Sequence, residues 1–565
     1  MDAQEAQPVK DCSAAPTDSI LSEEQPPISA STEKSEKKPF DIVEELKKPY
    51  NVGIKPEYVL PIETNKRDTS VSSETDQKKT YKTKRNRVDV GLKKRGECDV
   101  LCRAIAQEKE CPFGDTCKYD HDIQAYFSRR EPDIGPLCPV WSVHGYCPVG
   151  LNCRWAQSHV TEDLKLVYKK EQIPIEEWNE PGDVPNQLRK KTYSFQRGSL
   201  TDPDHRPIDF HGKIYIAPLT TVGNLPFRRV CVEYGADITC CEMAMCGNLL
   251  RAQTSEWALL RRHPSEKCFG IQLAGAKLEE LGDVCEVVSR ELRADFVDLN
   301  AGCPIDVLDK MGAGAALLAR PNKLKRLLQV MLDRCKLSVT VKLRTGDKDQ
   351  NTHKLIPQIQ ALQGVQGNRV EAVVIHGRTK QGRYTKLADW EYVKQCADAR
   401  DSSSPLQIIG NGDIFDYQTY VSHLADGRLD GCMIGRGALI KPWICTEIKE
   451  HRVWDISAQE RLDMIHRFCD YGLEHWGSDE QGVARTRRFL LEWLSFLCRY
   501  VPVGLLDRPQ TINQKPYAYV GRNELETLLG SHKPEDWIRI SSMFLGPAPE
   551  GFVFLPKHKS NAYVE

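Results

Sequence analysis

A long apolar run is missing from this chain of 565 residues, because no stretch approaches the roughly 20 consecutive apolar residues that cross a membrane as a helix. Net charge is nearly absent too, since 78 Lys and Arg residues face 79 Asp and Glu residues. Any affinity for nucleic acid therefore has to come from local basic patches. We expect no membrane partner.

A regular disulfide framework is also missing, although the chain has 21 cysteines. The cysteines fall in irregular groups, with Cys240 and Cys241 adjacent, and no signal peptide is recognisable. Both features are typical of proteins from a reducing compartment, where thiols stay free. We therefore expect localisation in the cytoplasm, the nucleus or both.

Residues 1–95 have few aromatic side chains and are rich in Pro, Ser, Thr, Glu and Lys. We expect this tail to be disordered, because it can bury too little apolar surface to fold. Its stretch from Lys78 to Arg95 holds nine Lys and Arg residues against one Asp. Such a run can be a solvated tail, a nuclear-localisation signal or an arm for polyanions, and the sequence leaves these three open.

Residues 96–162 repeat a cysteine and histidine spacing that is typical of zinc sites, first C-x8-C-x5-C-x3-H and then C-x8-C-x5-C-x5-H. Three thiolates and one imidazole satisfy tetrahedral Zn²⁺, and so short a segment needs the metal in order to fold. The predicted ligands are Cys102, Cys111, Cys117 and His121 in the first set, and Cys138, Cys147, Cys153 and His159 in the second.

Tandem fingers with this spacing resemble the CCCH family, which grips single-stranded RNA. Candidate stacking faces and charges are Phe113, Tyr119, Trp141, Tyr146 and Trp155, with Lys118 and Arg154. The alternative is a zinc site that only stiffens the chain. The gap before His159 is longer than the usual x3, and Cys98 is a nearby thiol that can compete with Cys102.

After a linker at 163–207, strand and helix signals alternate eight times over residues 208–450. Eight βα units in some 240 residues predict an α/β fold of the TIM (β/α)8 barrel type. A doubly wound sheet is the alternative, but no G-x-G-x-x-G follows the first strand. The predicted strands are Lys213–Thr220, Ala236–Met243, Cys268–Ala274, Asp295–Asn300, Ser338–Leu343, Glu371–His376, Leu406–Gly410 and Cys432–Gly435.

Residues 451–565 are predicted to form a helical domain and a C-terminal tail. Glu460–Trp476 and Gly482–Tyr500 carry apolar residues at i, i+3, i+4 spacing. Four arginines lie on or next to the second of these helices: Arg485, Arg487, Arg488 and Arg499. They suit either phosphate contacts in an RNA-binding domain or packing of the helices against the barrel.

Polar residues stand at the predicted ends of apolar strands, where they are unfavourable unless they meet a ligand. Gln272, Lys342 and His376 are of this kind, and Cys303 ends the stretch Asp298–Pro304. The loops after the seventh and eighth strands commonly bind phosphate in such barrels, through glycine backbone N–H groups and a basic side chain. In this chain they contain Asn411, Gly412 and Asp413, then Gly435 and Arg436.

Flavin mononucleotide (FMN) fits this pattern of residues. Its phosphate suits the last two loops, and its ring edge suits Lys342, Gln272 and the first-strand backbone at Ala217, Pro218 and Leu219. A lysine beside the pyrimidine edge stabilises an anionic reduced flavin. Asn300 can hold either the flavin or the substrate base.

Several segments resemble the tRNA-dihydrouridine synthases, in particular Asn224–Arg228, Asp298–Pro304, Met311–Ala315, Val341–Gly346, His376–Thr379, Asn411–Asp413 and Gly435–Gly437. The fingers and the stretches Arg487–Leu494 and Gly521–Glu524 resemble the eukaryotic branch that acts on the variable-loop uridine, nucleotide 47 of tRNA. Leu219 stands where much of the family has Met. The resemblance implies FMN, NADPH as co-substrate and tRNA as partner.

The resemblance further implies hydride transfer from flavin to uridine C6, a proton from Cys303 to C5, and ping-pong kinetics, with Gly302, Gly312 and Gly314 as hinges of a closing loop.

One alternative function is a small-molecule FMN reductase of the dihydroorotate dehydrogenase or old yellow enzyme type. The other is a non-catalytic RNA-binding protein with a barrel scaffold. We expect a monomer, and messenger RNAs stay open as further substrates.

Overall fold

A closed parallel β-sheet forms the centre of the protein, in a computed structural model that describes residues 42–61, 100–198, 200, 206–382, 384 and 386–557. Its strands are β1 Ile214–Ile216, β2 Ile238–Cys240, β3 Ala244–Met245, β4 Cys268–Ala274, β5 Phe296–Ala301, β6 Ser338–Arg344, β7 Val370–His376, β8 Gln407–Asn411 and β9 Gly431–Ile434. Neighbours pair in the order β2-β1-β9-β8-β7-β6-β5-β4-β3, and β2 also pairs with β4. The two short segments β2 and β3 therefore form one stave, and the predicted eight-stranded TIM barrel is confirmed.

The described residues form twenty α-helices. They are α1 Ile42–Lys47, α2 Arg103–Ala106, α3 Ile123–Arg129, α4 Pro139–His144, α5 Val184–Lys190, α6 Leu225–Glu233, α7 Cys246–Leu250, α8 Thr254–Trp257, α9 Leu278–Glu291, α10 Asp306–Met311, α11 Pro321–Arg334, α12 Ile356–Gln360, α13 Trp390–Asp398, α14 Tyr417–Leu424, α15 Arg436–Ile440, α16 Ile444–Glu450, α17 Ala458–Trp476, α18 Glu480–Leu497, α19 Glu524–Leu529 and α20 Pro534–Leu545. None of them is both long and apolar enough to cross a membrane.

The first two strands are shorter in the structure than the sequence pattern predicts. The stretch Lys213–Thr220 forms a strand only at β1, because the chain then turns, with Gly223 N donating to Leu219 O. The stretch Ala236–Met243 is interrupted after β2. In both places the backbone leaves the sheet at the barrel mouth, where Leu219, Thr220 and Met243 line a pocket.

An aromatic cluster closes the opposite end of the barrel. The Phe296 ring, at the start of β5, meets the rings of Tyr215 and Phe210 edge to face, with centroids 5.9 and 5.8 Å away. Gly270 on β4 makes room for this ring, since a Cβ there would lie 2.1 Å from Phe296. The barrel is thus filled at its N-terminal end, and its functional site must lie at the C-terminal end.

Helices α17 and α18 confirm the predicted C-terminal helical pair. A capping box starts α17, where Ser457 and Glu460 satisfy each other's backbone N–H groups. Trp493 of α18 is buried between Phe227 of the barrel and Phe468 of α17, with ring centroids 5.6 and 5.0 Å away. This shared core joins the helical domain to the barrel.

Residues 42–61, here called the N-terminal strap, depart from the disorder expected for 1–95. The Arg508 guanidinium donates to the carbonyls of Leu46, Lys47, Lys48 and Asn51. Bridges also join the strap to the C-terminal domain at Asn51–Lys515, Ile54–Leu506 and Val59–Tyr519. Buried Val52 and Ile54 supply the apolar surface that composition alone did not reveal. Residues 1–41 and 62–95, with the basic run, lie outside the described part of the chain.

Candidate active site and zinc centres

The C-terminal ends of the strands surround one pocket. All thirteen residues predicted to hold the flavin or to act on the substrate line it: Ala217, Pro218, Leu219, Gln272, Asn300, Cys303, Lys342, His376, Asn411, Gly412, Asp413, Gly435 and Arg436. The parallel strands explain this convergence, because their carboxyl ends meet at the same rim. The structure brings these residues together, and the role of each stays a prediction.

Lys342 reaches into the pocket from β6. Its Nζ donates to Asn411 Oδ1 on β8 over 3.0 Å, and Asn411 Nδ2 in turn donates to the carbonyl of Met433 on β9 over 2.8 Å. Burial, followed by the repulsion of nearby Arg344, lowers the pKa of Lys342 to about 8. The ammonium group is therefore a partly desolvated cation, which favours an anionic ligand.

A chain of hydrogen bonds runs from Asp298 to the backbone of Cys303. Asp298 Oδ2 accepts from Gln272 Nε2 over 2.8 Å, and Gln272 Oε1 accepts from Asn300 Nδ2 over 2.8 Å. Asn300 Oδ1 then accepts from the N–H groups of Gly302 and Cys303, over 3.2 and 3.0 Å. Burial raises the pKa of Asp298 to about 6, against the lowering effect of its hydrogen bonds from Gln272 and Thr340. We call this set the Asp298 chain.

Cys303 is half-buried, and its loop is braced from two sides. Burial raises the pKa of the thiol, so that it stays protonated at neutral pH. Its carbonyl accepts from Ala315 N over 2.9 Å, and the carbonyl of Gly302 accepts from Arg344 Nε over 2.8 Å. Gly314 must be glycine, because its φ is +58° and a Cβ would lie 2.6 Å from Cys303 O. The predicted hinge motion of this loop stays a prediction.

His376 at the end of β7 is buried and neutral. Desolvation, with the positive charges of Lys342 and neighbouring arginines, lowers its pKa well below the ordinary value. Arg378 Nη1 lies 3.1 Å from His376 Nε2. Since arginine can only donate, Nε2 accepts this bond and the ring proton resides on Nδ1.

Asp413 links the two loops that were predicted to bind phosphate. Its carboxylate accepts from Arg378 Nη2 over 2.6 Å and from Arg436 Nη2 over 2.8 Å. The Arg436 guanidinium also lies 4.0 Å over the Tyr384 ring. Arg436 is therefore held in place at the pocket wall by an ion pair and an aromatic contact.

The pocket residues fit FMN. The rim at Gly435 is open, since the nearest side-chain atom to a Cβ built there would be Ala217 Cβ at 3.8 Å, and a ligand phosphate can approach the backbone closely. Beside it stands the Arg436 guanidinium, and deeper in the pocket lie the Lys342 ammonium and the amides of Gln272 and Asn300. Basic and backbone donors suit a phosphate, and amide and ammonium donors suit the carbonyl edge of a flavin ring.

Sequence reasoning missed other residues of the pocket, among them Met243, Arg344, Tyr384, Met433 and Ile512. Arg344 could have been found, because it follows Lys342 by two residues and so shares its face of β6. Ile512 comes from the C-terminal domain. No local pattern signals that contact.

Both predicted zinc sets are assembled. In each set of three cysteines and one histidine, the ligand atoms all lie within 4.8 Å of one another. His159 Nε2 is buried and has no hydrogen-bond partner, which a bound Zn²⁺ would remedy. The geometry thus includes His159 despite its longer spacing, while Cys98 lies outside the described residues. We call the two units finger 1 (residues 100–129) and finger 2 (residues 134–160).

Comparison with known proteins follows the same division of the chain. Residues 215–489 match the family described as Dihydrouridine synthase (Dus), and residues 98–129 match the DUS3L CCCH zinc finger domain. A Xenopus laevis protein named tRNA-dihydrouridine(47) synthase [NAD(P)(+)]-like is 45% identical, covering 83% of this chain and 81% of the relative. The chain belongs to the dihydrouridine synthase family.

Dihydrouridine synthases with the same printed name occur in distantly related organisms. The Homo sapiens relative is 43% identical, with 82% of this chain and 81% of the relative covered. The Arabidopsis thaliana relative is 38% identical, with 82% and 85% covered. The family resemblance predicted from the strand-end motifs and the fingers is confirmed.

Proposed function

We propose that this dihydrouridine synthase reduces the C5=C6 bond of uridine to 5,6-dihydrouridine in tRNA, at nucleotide 47 of the variable loop. The observation that carries the proposal is one pocket at the barrel mouth that gathers Cys303, Lys342 and His376. The relatives named for nucleotide 47 support the position.

FMN bound in the pocket and reduced by NADPH would supply the hydride for uridine C6. Lys342, Gln272 and Asn300 would hold the ring, together with the backbone at 217–219. Residues 411–413 and 435–436 would hold the phosphate. The cationic form of Lys342 would favour negative charge in a flavin ring bound beside it.

Cys303 is the acid in this proposal. Addition at C6 leaves negative charge conjugated with the uracil carbonyl, and a proton must then reach C5. The thiol is protonated at neutral pH because burial raises its pKa. The Asp298 chain holds the Cys303 backbone, so that the Sγ proton is presented from a fixed loop.

The base must leave its stack to enter the pocket. Recognition of an extruded base does not require the whole tRNA fold, and we therefore extend the proposal to other RNAs, such as messenger RNAs, with a suitable single-stranded uridine. We also propose action as a monomer, because all thirteen residues predicted to hold the flavin or act on the base are brought together within this chain.

The test uses the purified chain loaded with FMN and Zn²⁺, NADPH, and unmodified tRNA, with dihydrouridine read by mass spectrometry. We expect one dihydrouridine at nucleotide 47, and none in a matched tRNA with cytidine there. A yellow protein that oxidises NADPH but leaves tRNA unchanged would indicate a small-molecule flavin reductase. A colourless protein that binds RNA would indicate a non-catalytic scaffold.

A further inference from the structure

The two fingers differ in their surroundings. Finger 2 is docked on the turn between α17 and α18, where Ser478 Oγ lies 3.2 and 3.3 Å from the thiols of Cys147 and Cys153. Arg154 N donates to Ser478 O over 2.9 Å, and His144 Nε2 lies 3.2 Å from Glu474 of α17. All four predicted zinc ligands of finger 2 are buried. This finger is part of the helical domain's core.

The aromatic side chains of finger 2 are occupied by contacts within the protein. Trp155 is 3% exposed. Trp141 Nε1 donates to Val167 O over 2.7 Å, and Lys169 Nζ lies 4.9 Å over its ring. The Tyr146 hydroxyl accepts from Ile175 N over 3.1 Å. Trp155 is thus buried and the Trp141 and Tyr146 side chains are half-buried, so none of the three is exposed.

Finger 1 has the opposite character. Phe113 and Tyr119 are 67% and 52% exposed. In the sequence they flank the predicted ligand Cys117, which is half-buried. Neither ring stacks on another aromatic ring within the described part of the chain. The backbone beneath Phe113 is fixed, because Thr116 Oγ1 and Thr116 N both donate to its carbonyl. Two large aromatic faces are therefore held out toward solvent.

Finger 1 is joined to finger 2 by close packing. Leu101 and Ala106 bury their side chains against Leu151, and Asn152 Nδ2 donates to Leu101 O over 3.1 Å. Gly150 must be glycine, because its φ is +56° and a Cβ would lie 1.9 Å from Ala106 O. Finger 1 is thus anchored on finger 2, and it also contacts the linker, where Glu108 Oε1 accepts from Leu166 N over 3.2 Å.

We infer that the two fingers divide their work: finger 1 stacks unpaired bases of the RNA on Phe113 and Tyr119, and finger 2 is a strut that fixes finger 1 to the helical domain. The inference rests on the proposed function and assigns the RNA contact to one finger. Base stacking on an aromatic face needs an exposed, preorganised ring. Finger 1 alone of the pair offers such rings among the described residues.

The experiment measures the affinity of the FMN- and zinc-loaded full chain for unmodified tRNA. Each base stacked on an aromatic ring is worth about 1–3 kcal/mol, so Phe113→Ala with Tyr119→Ala should weaken binding about tenfold or more. Zinc content, the flavin spectrum and the melting temperature should stay at wild-type values. Tyr50→Ala is the matched control, because Tyr50 is 58% exposed but lies in the strap.

For finger 2 the variant is Trp141→Leu, which removes the aromatic ring and the bond to Val167. It should leave tRNA affinity within about twofold while lowering the melting temperature, because the half-buried Trp141 ring packs against the core that finger 2 shares with the helical domain. Wild-type affinity in the finger 1 double variant would overturn the inference and leave the proposed function standing. So would a tenfold loss of affinity in Trp141→Leu without loss of stability. A wild-type protein that does not bind tRNA would overturn both.

Discussion

Lys342 Nζ on β6 donates to Asn411 Oδ1 on β8 over 3.0 Å, across the strand end at which His376 lies. The bond crosses the barrel mouth and fixes the only ammonium group among the pocket residues. Burial lowers the pKa of Lys342 to about 8, so that the charge on this group changes within an accessible pH range.

The first prediction concerns FMN affinity and pH. As pH rises through about 8, Lys342 loses its proton, and the attraction for an anionic ligand falls with it. We expect the affinity of the apoprotein for FMN to decrease from pH 7 to pH 9. Lys342→Met should bind FMN more weakly at pH 7, and its FMN affinity should not change between pH 7 and pH 9. Quenching of flavin fluorescence measures both, and the same pH dependence in the variant would contradict the assignment.

The second prediction concerns the direction of the Asp298 chain. Asp298→Leu removes the acceptor of Gln272 Nε2, so that the amides of Gln272 and Asn300 lose the partner that sets their orientation. Asn300 would then no longer be held in place to accept from the backbone of Cys303. We expect dihydrouridine formation to fall about 10- to 100-fold, because a small misplacement of a reacting group has an effect of that size. Thr340→Val, which removes only the bond to Asp298 Oδ1, should have a smaller effect.

Activity and stability should respond to Asp298 in opposite senses. Turnover should fall as pH drops below about 6, because the neutral acid accepts the hydrogen bond from Gln272 more weakly than the carboxylate does. Folding raises the pKa of Asp298 above its ordinary value of about 4. The contribution of Asp298 to the free energy of unfolding is therefore fully present below pH 4 and is lost as pH rises through about 6. The difference in free energy of unfolding between wild type and Asp298→Asn, measured from pH 4 to pH 7, checks the sign. A constant difference would show that Asp298 does not titrate there.

The third prediction separates the acid from the flavin chemistry. Cys303→Ala should bind FMN and oxidise NADPH at wild-type rates, while dihydrouridine formation falls by about 10²–10⁴, the usual contribution of a general acid. Cys303→Ser has a side chain of similar size that is a poorer acid. Its rate of dihydrouridine formation should lie between those of the wild type and Cys303→Ala. Because burial raises the thiol pKa, any loss of wild-type turnover through Cys303 ionisation should begin at a higher pH than for an ordinary cysteine thiol. Equal dihydrouridine formation by Cys303→Ala would remove Cys303 from the mechanism.

The barrel and most of the pocket could be predicted because their signals are local. Gln272, Lys342 and His376 interrupt apolar strands, and parallel strands bring such residues to one rim. The metal sets could be predicted for the same reason, because ligand spacing is a short-range property.

Contacts between distant segments could not be predicted. Ile512 reaches the pocket from the C-terminal domain, and the strap pairs with residues more than 440 positions away, as the bond from Lys55 Nζ to Gly504 O illustrates. Trp155 was predicted as a stacking face and is buried. A single sequence shows that an aromatic residue is present, but the surface that covers it depends on the tertiary fold.

Arg487 provides the last prediction, since the sequence left open whether the arginines of α18 bind phosphate or pack. Its guanidinium is buried and donates to Ser541 Oγ over 2.8 Å and to the carbonyls of Leu545 and Gly546 over 2.7 Å each. Arg487→Ala leaves these acceptors without a donor, so we expect a loss of about 3 kcal/mol in the free energy of unfolding. Arg488→Ala is the matched control, because Arg488 is exposed on the same helix and should change stability by less than about 0.5 kcal/mol. Urea unfolding measures both, and equal stability of the two variants would mean that the Arg487 contacts contribute little. A fall in tRNA affinity with Arg488→Ala alone would assign phosphate binding to the exposed side of α18.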